Sequence, residues 1–271
     1  MGVRVVPVVP AAPAVVAVPS EMDIARPEFV PDPALARDEM EALQREIAAA
    51  ALFNDDLDFD PAAFENASPL VAGVDQAFVD DLAVSAIVLL RDGEVVERAH
   101  AAVETEIPYI PGLLSFREGG AILAAFEQLN RDPDLALFDG SGRIHYREAG
   151  LATHIGCTLD LPAIGVAKRL LCGDPEAPLD EKRPAGARVP ILADDSVETA
   201  TPGTTIGYAV QTRQFATAGR HVNPVYVSPG HRVSATTAAD LVDGTCAGYK
   251  LPEPTRQADA YADEVKAEYA E

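Results

Sequence analysis

Between Pro69 and Lys168 the hydrophobic pattern switches once, from strict alternation to alternating strand and helix spacing, and that switch restricts the fold more than any other feature. Pro69-Leu-Val-Ala-Gly-Val-Asp75, Leu82 to Leu90 and Val95 to Thr105 read as strands, with the turn sequence Arg91-Asp-Gly-Glu94 joining the last two. They predict a three-stranded antiparallel meander. After Pro108-Tyr-Ile-Pro111 the spacing predicts a helix from Ser115 to Asn130, a strand from Leu135 to Asp139, a helix from Glu148 to Leu159 and a strand from Ala163 to Lys168. The compact solution is a right-handed crossover that returns the fourth strand parallel to the first. The expected class is therefore α/β, with a mixed sheet flanked by helices.

The flanks extend one domain rather than adding another. Asp32-Pro33 suggests the start of a helix running over Leu35 to Phe53. Beyond Gly173 a Pro- and charge-rich connector leads to strands near Thr204 to Gln211 and Val225 to Ser228, then a helix over Ala235 to Val242. Residues 22 to 250 are taken as the domain and 251 to 271 as a polar tail, helical in part. Residues 1 to 21 are expected to be a disordered extension: Pro7, Pro10, Pro13 and Pro19 break the apolar helix that a secretory signal needs, and Met22 offers a second start.

This topology gives three acids a common destination. Asp75 on strand one and Asp139 at the end of strand four should meet at the carboxyl edge, where open α/β sheets bind ligands. Glu118, in the first turn of the crossover helix, can lean over the same edge. Singly, each has an ordinary reading, as a strand-end turn residue, an Asp-Gly turn or a helix N-terminal acid. Converging carboxylates repel unless a cation joins them, and oxygen ligands suit Mg²⁺ or Mn²⁺. Together with the topology they point to a ribonuclease H-like fold with a metal site for phosphoryl chemistry.

Net charge alone argues against a nucleic-acid partner. The chain has 43 Asp+Glu against 21 Lys+Arg, a net charge of −22, and its only lysines are Lys168, Lys182, Lys250 and Lys266. An acidic, lysine-poor surface suits concentrated salt, where repulsion is screened. The acids are unevenly placed, however: Thr199 to Ala239 contains none, yet carries Arg213, Arg220, Arg232, His221 and His231. That stretch is either a buried sheet segment or a phosphate-facing surface. Cys157, Cys172 and Cys246 fit no metal spacing and read as thiols of a reducing cytoplasm. No apolar run is long enough to span a membrane.

Several segments carry a specific resemblance. Val71-Ala-Gly-Val-Asp75, Pro108-Tyr-Ile-Pro-Gly-Leu-Leu-Ser-Phe-Arg-Glu118, Pro133-Asp-Leu-Ala-Leu-Phe-Asp-Gly-Ser-Gly142 with His145, Gly150-Leu-Ala-Thr-His154 and Ile164-Gly-Val-Ala-Lys168 resemble successive signatures of the endonuclease V family. Tyr226-Val-Ser-Pro-Gly-His231 extends the likeness more loosely. The resemblance implies a ribonuclease H-like fold and cleavage of the second phosphodiester bond 3′ to deoxyinosine, or to inosine in RNA. It implies metal ligation by Asp75, Glu118 and Asp139, a histidine beside the metal at His231, and a phosphate or water contact from Lys168. Tyr109 is similar to the family's wedge, which fills the stack when a base is turned out; its ordinary reading is a loop tyrosine capping the core. Gly112, Leu114, Gly140, Gly142 and Leu151 resemble the hypoxanthine pocket, with His145 flanking it. The family usually has His in place of Ser141 and Pro in place of Tyr146, which bears on base preference. An inosine-specific ribonuclease and a non-cleaving binding protein of the same fold are the competing expectations, and a monomer is expected.

Overall fold

The computed structural model describes residues 22 to 270 except 106 and 218 to 220, so the extension expected at residues 1 to 21 lies outside the described residues. In chain order the elements are α1 (Arg37–Ala50), the single turn α2 (Phe64–Ala67), β1 (Val71–Val79), β2 (Leu82–Arg91), β3 (Glu94–Glu104), α3 (Leu114–Phe126), β4 (Leu135–Phe138), α4 (Leu151–Leu159), β5 (Ala163–Ala167), β6 (Asp174–Pro175), β7 (Arg188–Leu192), β8 (Thr205–Val210), β9 (Val225–His231), α5 (Ala235–Gly244) and α6 (Glu253–Tyr269). Among the described residues nine strands join one sheet in the order β3-β2-β1-β4-β5-β9-β8-β7-β6. The predicted meander and crossover are both present: β1 pairs antiparallel with β2 and parallel with β4.

Side-chain alternation sorts the strands onto two faces. Ala72 and Val74 of β1 and Ala136 and Phe138 of β4 pack into one core with Ile122 and Phe126 of α3 and Ile155 of α4. Val71, Leu135, Leu137, Ile164 and Val166 point the other way, into a second core with Leu241 and Val242 of α5. Asp75 and Asp139 continue the second set. Each stands one step past a residue of the first core, Val74 and Phe138, which are themselves paired across the strands. The ladder thus delivers both acids to the same edge and the same face.

The segment expected to be a polar tail is helix α6, which packs across β1 and β2 on that face. Ala258, Ala262 and Val265 recur at helical spacing and are buried. Gly73 makes the seat possible, because a Cβ built there would lie 1.9 Å from the Pro254 carbonyl oxygen. Gly73→Ala should therefore lift the start of α6 and destabilise the protein by about 1–3 kcal/mol, the usual cost of overpacking. Denaturant titration reads that shift, and an unchanged midpoint would show that α6 is not seated as described.

Other boundaries moved for local reasons. Helix α1 begins at Arg37 because Glu39 accepts the Ala36 N–H, while Asp32 caps only the preceding turn through Ala34. Helix α4 begins at Leu151 rather than Glu148, since Glu148 has φ +47° and Gly150 is extended. Strand β7 falls inside the expected connector; Pro190 disguises it, and it pairs with β8 on one side and the two-residue β6 on the other. Among the described residues no helix is long and apolar enough to cross a membrane.

Candidate metal centre and base pocket

Asp75 from β1, Asp139 just beyond β4 and Asp259 from α6 each offer a carboxylate oxygen, and these atoms lie within 4.8 Å of one another. Lys168, just beyond β5, donates from Nζ to Asp139 Oδ2 at 2.6 Å and to Asp259 Oδ1 at 3.4 Å. Glu118 approaches from α3 over the edge of the sheet. It stands outside the tight group of three, yet near enough for the charge of Asp139 to act on it. The sequence brought Asp75, Glu118 and Asp139 to this edge but missed Asp259. The helical spacing of Ala258, Ala262 and Val265 could have revealed α6; nothing marked Asp259 among the acids of so acidic a tail.

Burial dominates the electrostatics of the centre. Asp75 is pushed up to about 8, first by loss of solvent and then by the charge of Asp139. Glu118 is also pushed up to about 8, mainly by burial, with Arg117 opposing and Asp139 reinforcing the shift. Burial works to lower Lys168, but its hydrogen bond with Asp139 and the surrounding carboxylates outweigh it, so its pKa is raised. Burial first, and the charge of Asp139 after it, thus favours the protonated form of both acids when no cation is bound. An all-oxygen donor set, partly open to solvent, fits a hard divalent cation.

A second constellation lies under the loop that carries Tyr109, whose side chain is 63% exposed. Gly112 closes this loop with φ +82°, and its carbonyl accepts from Gln44 Nε2 at 2.8 Å and His145 Nε2 at 3.0 Å. The other His145 ring nitrogen, Nδ1, accepts the Arg147 N–H at 3.2 Å. This fixes a neutral tautomer with its proton on Nε2, consistent with burial lowering His145 to about 4. His145 thus supports the Gly112 backbone. Gln44 Oε1 in turn accepts from Arg147 Nε, and Arg147 pairs with Glu198, so α1 braces the Gly112 loop.

The glycines have distinct roles. A Cβ on Gly112 would meet the Tyr146 ring at 3.1 Å, and one on Gly140 would meet Leu151 Cδ2 at 3.1 Å. Gly142 is sunk deeper: its N–H donates to Ser228 Oγ, and a Cβ there would lie 2.3 Å from the Pro229 carbonyl oxygen. Leu114 starts α3 beside Leu113, which is buried. Gly112 and His145 accordingly meet at the loop, Gly140 packs on Leu151 at the start of α4, and Gly142 holds the adjoining backbone against β9.

His231 is not brought to the metal centre. It pairs with Ala163 at the start of β5, so about 13 Å of strand separates it from the end that carries Lys168. It is fully buried, where Nδ1 accepts the Leu52 N–H at 3.2 Å and Nε2 bonds Asp160 Oδ1 at 3.0 Å. Burial is the first cause of its lowered pKa. The expectation of a histidine beside the metal is corrected: His231 ties the segment after α1 to the end of α4.

Comparison with known proteins agrees with this geometry. The sequence profile of the Endonuclease V family matches residues 56–260. The endonuclease V of Haloarcula marismortui is 64% identical over 262 residues, spanning 89% of this chain and 97% of that protein. Its haloarchaeal source accords with the acidic, lysine-poor composition. The crystal structure of the Streptomyces avermitilis endonuclease V superposes with a TM-score of 0.74 at 33% identity, covering 91% of this chain and 98% of that one. That of Ciona intestinalis endonuclease V, in complex with a 24mer DNA containing an inosine followed by a ribo-adenosine, gives 0.69 at 26% identity, covering 86% and 98%. With the profile covering most of the domain and the strand-edge carboxylates in place, the chain belongs to the endonuclease V family of nucleases.

Proposed function

We propose that the protein nicks DNA at the second phosphodiester bond 3′ to deoxyinosine, in repair of deaminated adenine, using Mg²⁺ or Mn²⁺. The carboxylate cluster of Asp75, Asp139 and Asp259 with Lys168 at its rim is the observation that carries this reading. Those three acids, with Glu118, would hold the cation, whose chemistry is to polarise a phosphate oxygen and acidify water. Lys168 then orients Asp139 and Asp259 and presents its remaining N–H to the phosphate. The Ciona relative bound to inosine-containing DNA supports the substrate class.

In this reading Tyr109 is the wedge, since an exposed ring on a Pro-flanked loop can replace stacking lost when the base turns out. Gly112, Leu114, Gly140 and Leu151 approach the extruded hypoxanthine, while Gly142 and His145 hold the pocket backbone. The enzyme acts as a monomer in the cytoplasm.

The test is cleavage of matched DNA and RNA oligonucleotides bearing one inosine or one adenosine, with Mg²⁺ in molar KCl. We expect a single nick in the inosine DNA, at the second bond. Tyr109→Ala should weaken retention of the nicked product about tenfold to a hundredfold, the value of one base-aromatic stack. Equal cutting of the adenosine control would overturn the assignment, and faster cutting of RNA would make inosine RNA the substrate.

A further inference from the structure

The metal centre occupies only the middle of the sheet edge. Because β9 and β8 run antiparallel in turn, the start of β9 and the end of β8 lie on the same edge as the end of β5. The loop after β8 and the segment before α6 therefore border Lys168. Thr212 Oγ1 donates to the Lys250 carbonyl at 2.6 Å, joining the two segments. Lys250 lies close enough to Lys168 for that charge, after burial, to lower its pKa. Farther along, the Arg213 guanidinium lies 5.2 Å from the Phe215 ring centroid, and Lys182 Nζ donates to the Thr217 carbonyl.

These cations differ from most others on the protein. Arg37, Arg45, Arg143, Arg188, Arg232 and Arg256 each have a carboxylate within hydrogen-bonding reach. Among the described residues no carboxylate lies within 4.0 Å of the charged groups of Lys250, Arg213 or Lys182. With 43 acids against 21 bases, an unanswered, half-buried lysine beside a second lysine is a costly arrangement. The loop that presents Arg213 is also held in shape. Gln211, 2% exposed, donates to the carbonyls of Arg213 and Val222, and Gln214 Oε1 accepts the N–H groups of Phe215 and Val222.

We propose that Lys250, Arg213 and Lys182 form a second contact surface for the substrate, binding phosphates of the nucleic-acid strand beyond the segment held at the metal centre. Two strand spacings, about 10 Å, separate β5 from β8. That distance corresponds to about three nucleotides of duplex rise. The proposal rests on the endonuclease reading and adds a flanking anchor that reads no base.

The experiment measures retention of the nicked inosine duplex by the Mg²⁺-loaded full chain across a range of KCl concentrations, so that no turnover intervenes. Each neutralised phosphate contact should lower the slope of log K against log [KCl] by about 0.7–0.9. We expect that drop for Lys250→Gln and for Arg213→Gln, and about twice as much for the double variant. Arg91→Gln, a cation with no described carboxylate partner on the opposite edge, should leave the slope unchanged. Lower affinity with an unaltered slope in the Lys250 and Arg213 variants would mark a structural role and overturn the proposal. An equal drop in Arg91→Gln would overturn it too. If the wild-type chain does not prefer the inosine product over an inosine-free duplex, the endonuclease reading fails instead.

Discussion

Asp139→Asn should reduce nicking at inosine by at least about a thousandfold while leaving the folded protein intact. The substitution keeps the shape and removes the charge at the point where three side chains meet. Asp139 is the neighbour whose charge raises both Asp75 and Glu118, and it is the 2.6 Å acceptor of Lys168. Loss of that one carboxylate weakens ion binding and leaves Lys168 only its 3.4 Å contact with Asp259. Above about pH 8, where Asp75 and Glu118 are ionised, the same change also relieves repulsion in the metal-free protein, so there its melting temperature should hold or rise as activity disappears. Asp75→Asn should behave alike, because both acids extend directly from paired central strands. Cleavage assays beside thermal melts in chelator give both readouts. Full activity in Asp139→Asn would sink the metal-centre assignment.

Why Asp139 was legible in the sequence and Asp259 was not follows from what each depends on. Asp75 and Asp139 need only strand alternation and the handedness of a crossover, both local rules with few exceptions. Asp259 depends on where a distant helix docks, and that is decided by the missing side chain of Gly73 and the close approach of Pro254. The error over His231 has the same origin. Its Ser-Pro-Gly-His segment is a strand, and only the antiparallel pairing of β9 with β5 sends its last residue to the far edge; a parallel pairing would have placed it near Lys168. Strand direction is not written in a seven-residue apolar run. The acid-free stretch from Thr199 to Ala239 is in good part the buried sheet segment that its composition suggested. Ile206, Val210, Val225 and Val227 are buried sheet, and the loop after β8 leaves Arg213 exposed.

The second large effect is the pH dependence of ion binding, set first by the burial of Asp75 and Glu118 and then by the charge of Asp139. In the metal-free fold Asp75 and Glu118 keep their protons up to about 8, whereas their ordinary values are 3.8 and 4.5. Between those limits the folded chain holds more protons than the unfolded chain, so stability must fall as pH rises. The stabilisation is complete below the ordinary carboxylate range and is lost as pH passes through about 8. Cation binding requires both groups ionised and therefore releases protons over that range. Calorimetry in buffers of different ionisation enthalpy should show up to about two protons released per binding event near pH 6.5 and almost none near pH 9. Added Mg²⁺ should accordingly raise the melting temperature little near pH 6 and strongly near pH 9, while apparent affinity climbs steeply and levels off above about 8. In Asp139→Asn one source of the raised values is gone, so the plateau should move to lower pH. Binding near pH 6.5 without proton release would mean that the carboxylates are already ionised, and that Lys168 alone neutralises the cluster before the cation arrives.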